Sequence, residues 1–277
     1  MKRNFLFLIA LLLFGIGTAS SSFAQRKNGG YFSIGPSLGF CTYQGDLDDN
    51  GLDFWNAFSP KDNENVGNPF KLFRPGLGFS VNYHFHPHMF VRIQLNQGWI
   101  SGDDKKNTVI GRQNRNLNFR SPLTEVSAQL VYEFFGTDRS YRFRPSWTPY
   151  IFAGVGVFAF NPQSRPDPAW TLYNDPANPF YGTNPNTWYS LQPLGTEGQR
   201  LAGNDKKPYA LTQVSIPLGI GVRKKLNDRI DVRFDIGLRK TFTDYMDDVS
   251  GPRYANPQDF INAGQITALF FSNRSNN

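Results

Sequence analysis

Apolar residues recur at every second position in seven separate segments of the chain. In the first, Phe32, Ile34, Pro36, Leu38 and Phe40 share one face, and Tyr31, Ser33, Gly35, Ser37, Gly39 and Cys41 share the other. The second opposes Leu77, Phe79, Val81, Tyr83 and Phe85 to Gly76, Gly78, Ser80, Asn82 and His84. The third sets Met89, Val91, Ile93, Leu95 and Trp99 against Phe90, Arg92, Gln94, Asn96 and Gly98. The fourth sets Val126, Ala128, Leu130, Tyr132 and Phe134 against Glu125, Ser127, Gln129 and Glu133. The fifth, residues 150–160, is apolar on both faces, with Gly154 and Gly156 opposite Val155 and Val157. The sixth places Val214, Ile216, Leu218, Ile220 and Val222 opposite Gln213, Ser215, Gly219, Gly221 and Arg223. The seventh places Ile230, Val232, Phe234, Ile236 and Leu238 opposite Asp231, Arg233, Asp235, Gly237 and Arg239. A period of two predicts strands with one apolar and one polar face. Each segment has about the ten residues that a tilted membrane-crossing strand requires.

Long and short connections alternate. The long ones are residues 45–74, 101–118, 161–208 and 243–265; the shorter ones are His86-Pro87-His88, residues 136–147 and Leu226-Asn227-Asp228. Outer-membrane barrels put short turns in the periplasm and long loops outside, so the N-terminus is expected in the periplasm. Three-residue turns at residues 86–88 and 226–228 would pair Phe85 with Met89, His84 with Phe90, and Arg223 with Asp231. A two-residue turn would flip one strand's pattern to the other face. The predicted fold is therefore all-β, an antiparallel up-and-down transmembrane β-barrel of about eight strands, seven of them clear. A soluble β-sandwich also alternates, but rarely combines such uniformly long strands with this loop asymmetry. The eighth strand is weak, because Ile266 to Phe271 hardly alternates. Either residues 264–272 form a poor closing strand, or the chain stops inside its last outer loop, which the pattern favours.

The first residues bear on compartment. Lys2 and Arg3 precede an apolar run from Phe5 to Leu13, and Ser22-Phe23-Ala24 forms a small-x-small cleavage site before Gln25. Residues 1–24 are read as a secretory signal peptide, and residues 25–277 as the barrel. An uncleaved anchor is the alternative, but the apolar core is short for a bilayer span. No Cys follows the cut, which excludes a lipoprotein. The mature part has no second apolar run of helical membrane-spanning length. The chain is rich in Phe and Gly, yet its mean hydropathy is −0.44. A barrel wall gives that mixture, since only alternate residues face lipid.

The formal charge is +7; without Lys2 and Arg3 it is 7 − 2, or +5. The basic residues are scattered, whereas nucleic-acid binding wants a clustered patch. Cys41 is the only cysteine, so no internal disulfide is possible. Side chains just fill the interior of a barrel of about eight strands. The expected lumen network is Arg92, Gln94, Glu125, Gln129, Glu133, Arg223, Asp231, Arg233, Asp235 and Arg239. Arg92 and Glu133 are expected to pair, because buried charges need partners. A salt-bridged plug is the main reading of this set, and a proton path or small solute channel the other. A general porin needs about twice as many strands.

Three motifs invite chemistry. His84, His86 and His88 are the only histidines and are weak metal-ligand candidates; side chains facing the periplasm from a turn are the simpler reading. Asp46-Leu47-Asp48-Asp49-Asn50-Gly51 resembles the first half of a calcium loop, but Ala57 stands where the bidentate Glu belongs. A rim hydrolase would need Ser and His together at the outer end, and all the histidines map to the periplasmic end. No cofactor and no catalytic residue is expected.

Several runs carry a resemblance. They are Tyr43-Gln44-Gly45-Asp46-Leu47, residues 149–158 (PYIFAGVGVF), residues 193–199 (PLGTEGQ), residues 215–222 (SIPLGIGV), Leu226-Asn227-Asp228-Arg229 and residues 239–250 (RKTFTDYMDDVS). Together they resemble the outer-membrane β-barrel family of Bacteroidota that includes PorG of the type IX secretion system. The resemblance implies a non-enzymatic barrel that contacts outer-membrane lipid and periplasmic secretion-ring proteins, anchoring a secretion or gliding apparatus. It also implies a final strand beyond the stretch at residues 272–275. The alternative is a surface barrel whose long loops bind a ligand or gate a small solute. Trp170, Tyr173, Phe180, Tyr181, Trp188 and Tyr189 in the loop at residues 161–208 motivate it.

Overall fold

A computed structural model describes residues 30–41, 74–104, 117–136, 141–166, 176–177, 181–182, 184–250 and 255–272. The signal peptide, the calcium-like motif, Trp170, Tyr173 and Phe180 lie outside the described residues.

The seven alternating segments are seven long strands. They are β1 (Tyr31–Cys41), β2 (Arg74–His86), β3 (Met89–Asp103), β4 (Asn118–Glu133), β5 (Trp147–Phe160), β8 (Thr212–Lys225) and β9 (Asp231–Thr241). Two short strands, β6 (Gln163–Ser164) and β7 (Tyr189–Ser190), lie between β5 and β8. Two helices follow, α1 (Pro257–Asn262) and α2 (Ile266–Ser272). Each long strand pairs antiparallel with its sequence neighbour, in the order β1-β2-β3-β4-β5-β8-β9. The sheet is up-and-down and curled, and among the described residues β1 and β9 are its edges.

The faces are inverted relative to a soluble protein. Outward side chains are apolar and exposed: Leu38 is 84% exposed, Phe234 70% and Val155 62%. Inward side chains are polar and covered: Asn82 is 0% exposed, Gln129 1%, Arg223 1% and Glu133 2%. Water cannot face such an outer surface without a large penalty, whereas hydrocarbon can. The outward residues are also zoned. Aliphatic residues such as Ile93, Leu95, Val126, Leu130, Val157 and Ile220 hold the middle, and Tyr83, Phe85, Tyr132, Phe134 and Trp147 gather at the short-turn end. That is the aromatic belt of a membrane interface.

Three local expectations are corrected. At the first short turn, His84 does face Phe90, but Met89 pairs with His86, not Phe85. Two residues, Pro87 and His88, make the turn, and a bulge between His84 and His86 restores the parity that a two-residue turn would break. At the last turn, Arg223 pairs with Arg233 and Lys225 with Asp231. The connection is two residues longer than expected, because the Asn227 side chain accepts the Arg229 and Ile230 amides and shapes a wider loop. Residues 266–272 are a helix, not a closing strand. Phe270 and Phe271 are both buried, against Leu191 and the partly buried Tyr189 and Leu194. Consecutive residues of a strand point to opposite faces, so a one-sided wall would expose one of them.

Glycines on the inward face of β8 clear space for rings. A Cβ on Gly221 would lie 2.5 Å from Tyr150 Cζ, and one on Gly219 would collide with Phe152 and the Ile236 carbonyl.

If the outward face is solvated by lipid, Val126→Arg in mid-wall should destabilise the barrel by about 2–4 kcal/mol, while Leu226→Arg in the turn should cost about 0–1 kcal/mol. Urea unfolding in lipid vesicles measures both; equal losses would contradict the assignment of that face.

Candidate functional site

The lumen is built in three tiers of inward residues, whose shortest ion pairs join strands that are not neighbours. Nearest the short turns, Arg223 donates from Nε to Glu133 Oε1 at 2.8 Å and from Nη2 to Oε2 at 3.1 Å. This parallel pair joins β8 to β4 across the intervening β5. Asp231 stands 3.7 Å from Arg223 Nη1 and receives Arg144 as well. Arg144 comes from the β4–β5 connection and also donates to the Asp228 and Asn227 carbonyls at 3.1 and 3.2 Å. It thereby ties two short turns together. His84 stacks on Tyr31 with centroids 4.2 Å apart, and its Nε2 lies 3.2 Å from Ser33 Oγ.

In the middle tier, Arg92 Nη1 donates to Asp235 Oδ2 at 2.8 Å, linking β3 to β9. Tyr150 donates its hydroxyl to the other oxygen of Asp235. The Arg92 guanidinium lies 5.6–5.7 Å from the centroids of Phe90, Tyr150 and Phe152, so its charge is held by rings as well as by a carboxylate. Arg233 lies 5.1 Å from the Phe90 centroid. Gln129 Nε2 donates to Gln94 Oε1 and Ser127 Oγ at 3.1 and 3.0 Å.

In the third tier, Glu125 accepts from Asn96 at 3.2 Å and Ser215 at 3.1 Å, with Arg239 Nε at 3.5 Å. All ten sequence-predicted lumen residues therefore face inward. The expected Arg92–Glu133 pair does not form: Gln129 is the residue opposite Arg92, and each charge instead finds a partner across the lumen.

The histidines separate. His84 points into the lumen, whereas His86 and His88 sit at the turn; His88 Nδ1 lies 2.8 Å from the Glu133 carbonyl oxygen. The bulge that restores strand parity is what divides them. Among the described residues no group of three or more His, Cys, Asp or Glu could hold a metal ion.

Above the third tier, loop segments cover the long-loop end. Asp248 is 3% exposed and accepts the hydroxyls of Thr196 and Tyr209, joining the segment after β9 to the loop before β8. Its φ of 69° is a left-handed conformation that Asp tolerates better than most residues. Glu197 accepts Lys206 Nζ and the Ser250 amide at 2.8 and 2.7 Å. Burial, reinforced by Glu197 and Asp247, raises the Asp248 carboxyl to about 7. Burial also raises Glu197, against the pull of Lys206. Sequence reasoning missed the cap, Arg144 and Tyr150. The runs at residues 193–199 and 239–250 carry the cap's contacts, so their resemblance to a family was the available signal.

A family model described as Outer membrane protein beta-barrel domain matches residues 8–268. The chain belongs to that family. Neither a curated protein nor a solved structure matches it. Membership agrees with the inverted faces and places this barrel in the outer membrane, with its paired charges inside.

Two predictions follow from the geometry. Glu133→Gln strands the buried Arg223 charge beside Asp231 alone and should cost on the order of 3 kcal/mol, most of it recovered in Glu133→Leu/Arg223→Met. A double-mutant cycle by urea unfolding reads the coupling; additive losses would show that the pair contributes nothing. For the cap, a carboxyl raised in the folded state favours folding below its ordinary value of 3.8 and loses that contribution as pH climbs to about 7. Amide exchange in residues 196–199 and 248–250, corrected for intrinsic rate, should therefore speed up between pH 4 and pH 8. Asp248→Asn should flatten most of that rise, leaving the smaller share of Glu197; an unchanged slope would refute the assignment.

Proposed function

We propose that this chain is a non-catalytic, structural barrel that anchors a type IX protein secretion or gliding apparatus in the outer membrane. The observation that carries this reading is the ladder of cross-lumen ion pairs, which occupies the interior with fixed side chains and leaves the two ends as the working surfaces. The short-turn end suits a protein partner. Arg144 braces two of its turns, and the half-buried Lys225 with the exposed Asp228 and Arg142 forms a polar rim around them. A rigid, polar, hydrogen-bonded surface is what periplasmic ring proteins could grip without reorganising it. The runs at residues 193–199 and 239–250, which carry the resemblance to barrels of that system, also build the buried cap. No nucleic acid enters this reading. The second reading, a surface barrel that binds a ligand or gates a small solute, draws on the aromatic and basic residues of the long loops.

The test is extraction of the tagged protein from outer membranes in mild detergent, with mass spectrometry of what remains bound. Periplasmic ring components of the secretion system are expected in fixed ratio, and charge reversal at Arg142 and Lys225 should reduce their recovery several-fold. A barrel that emerges alone would remove the anchoring role and move attention to the long loops.

A further inference from the structure

The three lumen tiers hold five arginines, Arg92, Arg144, Arg223, Arg233 and Arg239, and four carboxylates, Glu125, Glu133, Asp231 and Asp235, a formal balance of 5 − 4, or +1. The charge left over is Arg233. Each of the other four has an ion pair, whereas the Arg233 side chain forms neither an ion pair nor a hydrogen bond among the described residues. Asp231 lies two residues away on the same face of β9, but its oxygens face Arg144 and Arg223. Asp235, two residues the other way, takes Arg92 and Tyr150. Both carboxylates that flank Arg233 along its strand are thus engaged elsewhere.

What surrounds the guanidinium instead is apolar or cationic. Arg233 and Arg92 lie against the same buried ring, 5.1 and 5.7 Å from the Phe90 centroid, and their charges act on each other. Arg233 Nε and the Nε and Nη2 of Arg92 are buried without a hydrogen-bond partner. A cation held by a ring face still lacks a counter-charge, and like charges repel strongly in a poorly screened interior. Water can bridge Arg92 to Asn82 Oδ1 and Gln129 Oε1, unpartnered oxygens at the positions opposite it on β2 and β4, but water brings no charge.

We infer that the lumen binds one small monovalent anion of the halide class at Arg233, with the unpartnered N–H groups of Arg92 as neighbouring donors. A halide is a single atom without preferred directions, so it accepts N–H groups that come from two separate guanidiniums. A carboxylate or phosphate is better matched by paired, parallel donors of the kind that Arg223 offers to Glu133. The bound ion neutralises the plug, and the site is independent of the anchoring role.

The test uses the full-length folded barrel in mild detergent, crystallised with bromide in place of chloride. An anomalous peak in contact with Arg233 is expected. No peak in the lumen, bromide confined to the outer surface, or a carboxylate of the full-length barrel seated on Arg233 overturns the site. Stability supplies a second readout. A single site that exists only in the folded state raises the folding constant about elevenfold at a halide concentration ten times its Kd. Urea unfolding in lipid vesicles, with bromide exchanged for gluconate at constant ionic strength, should show that rise. Arg233→Met should remove it, and Arg229→Gln, in the last short turn, should keep it. Heat-modifiable gel mobility confirms that each variant folds; if Arg233→Met does not, the bromide peak in the unsubstituted protein decides. An equal halide dependence in folded Arg233→Met overturns the assignment.

Discussion

Charges excluded from the lipid-facing surface have only the lumen to occupy, and in the lumen they must find one another. That constraint organises the molecule. Among the described residues, the shortest ion pair of each of three inward arginines reaches a strand that is not its hydrogen-bonded neighbour: Arg92 to β9, Arg223 to β4, Arg239 to β4, with Asp231 of the adjacent β9 a longer second partner of Arg223. A pair between adjacent strands would only reinforce a ladder already held by backbone hydrogen bonds. A pair across the lumen draws opposite parts of the curled sheet together. Curvature, lumen filling and charge neutralisation are thus one interaction seen three ways.

The same logic explains why small residues sit where they do. Tyr150 must reach Asp235 from β5, across β8, and Gly221 leaves the room it crosses. Gly219 does the same for Phe152, whose ring lies near Arg92. The apolar inward face of β5, which breaks the alternation seen elsewhere, supplies two of the rings that shelter Arg92. At the ends the problem differs. The short-turn end is closed by Arg144 from a connection, and the long-loop end by a cap whose buried carboxylates meet hydroxyls, an amide and one lysine.

Legibility followed periodicity. All seven long strands, their antiparallel order and the inward face of each were readable, because a period of two leaves one answer per strand once one face must be apolar. Periodicity failed at His84 to Met89, where a bulge and a two-residue turn reach the parity expected from a three-residue turn. At residues 266–272 it gave no strand phase, and the chain coils there into α2. It was silent on β6 and β7, which are too short to show a period. The lumen set was legible as a list, since inward polar positions name themselves. Its partners were not: Arg92 was paired with Glu133 on nearness along the wall, and the curl of the sheet offered each a better partner opposite.

The sequence by itself determined the wall. Alternation, strand length and loop asymmetry are local properties, and each strand satisfies them without reference to the others. Only the tertiary structure decided who meets whom inside the wall and above it. The bidentate grip of Arg223 on Glu133, the reach of Arg144 into two turns, the burial of Asp248 and the placing of Arg233 against Phe90 join residues far apart in sequence. Those meetings depend on curvature and loop path, which no single segment encodes, because the free energy of a buried charge is settled by whichever partner the folded chain brings within a few ångströms.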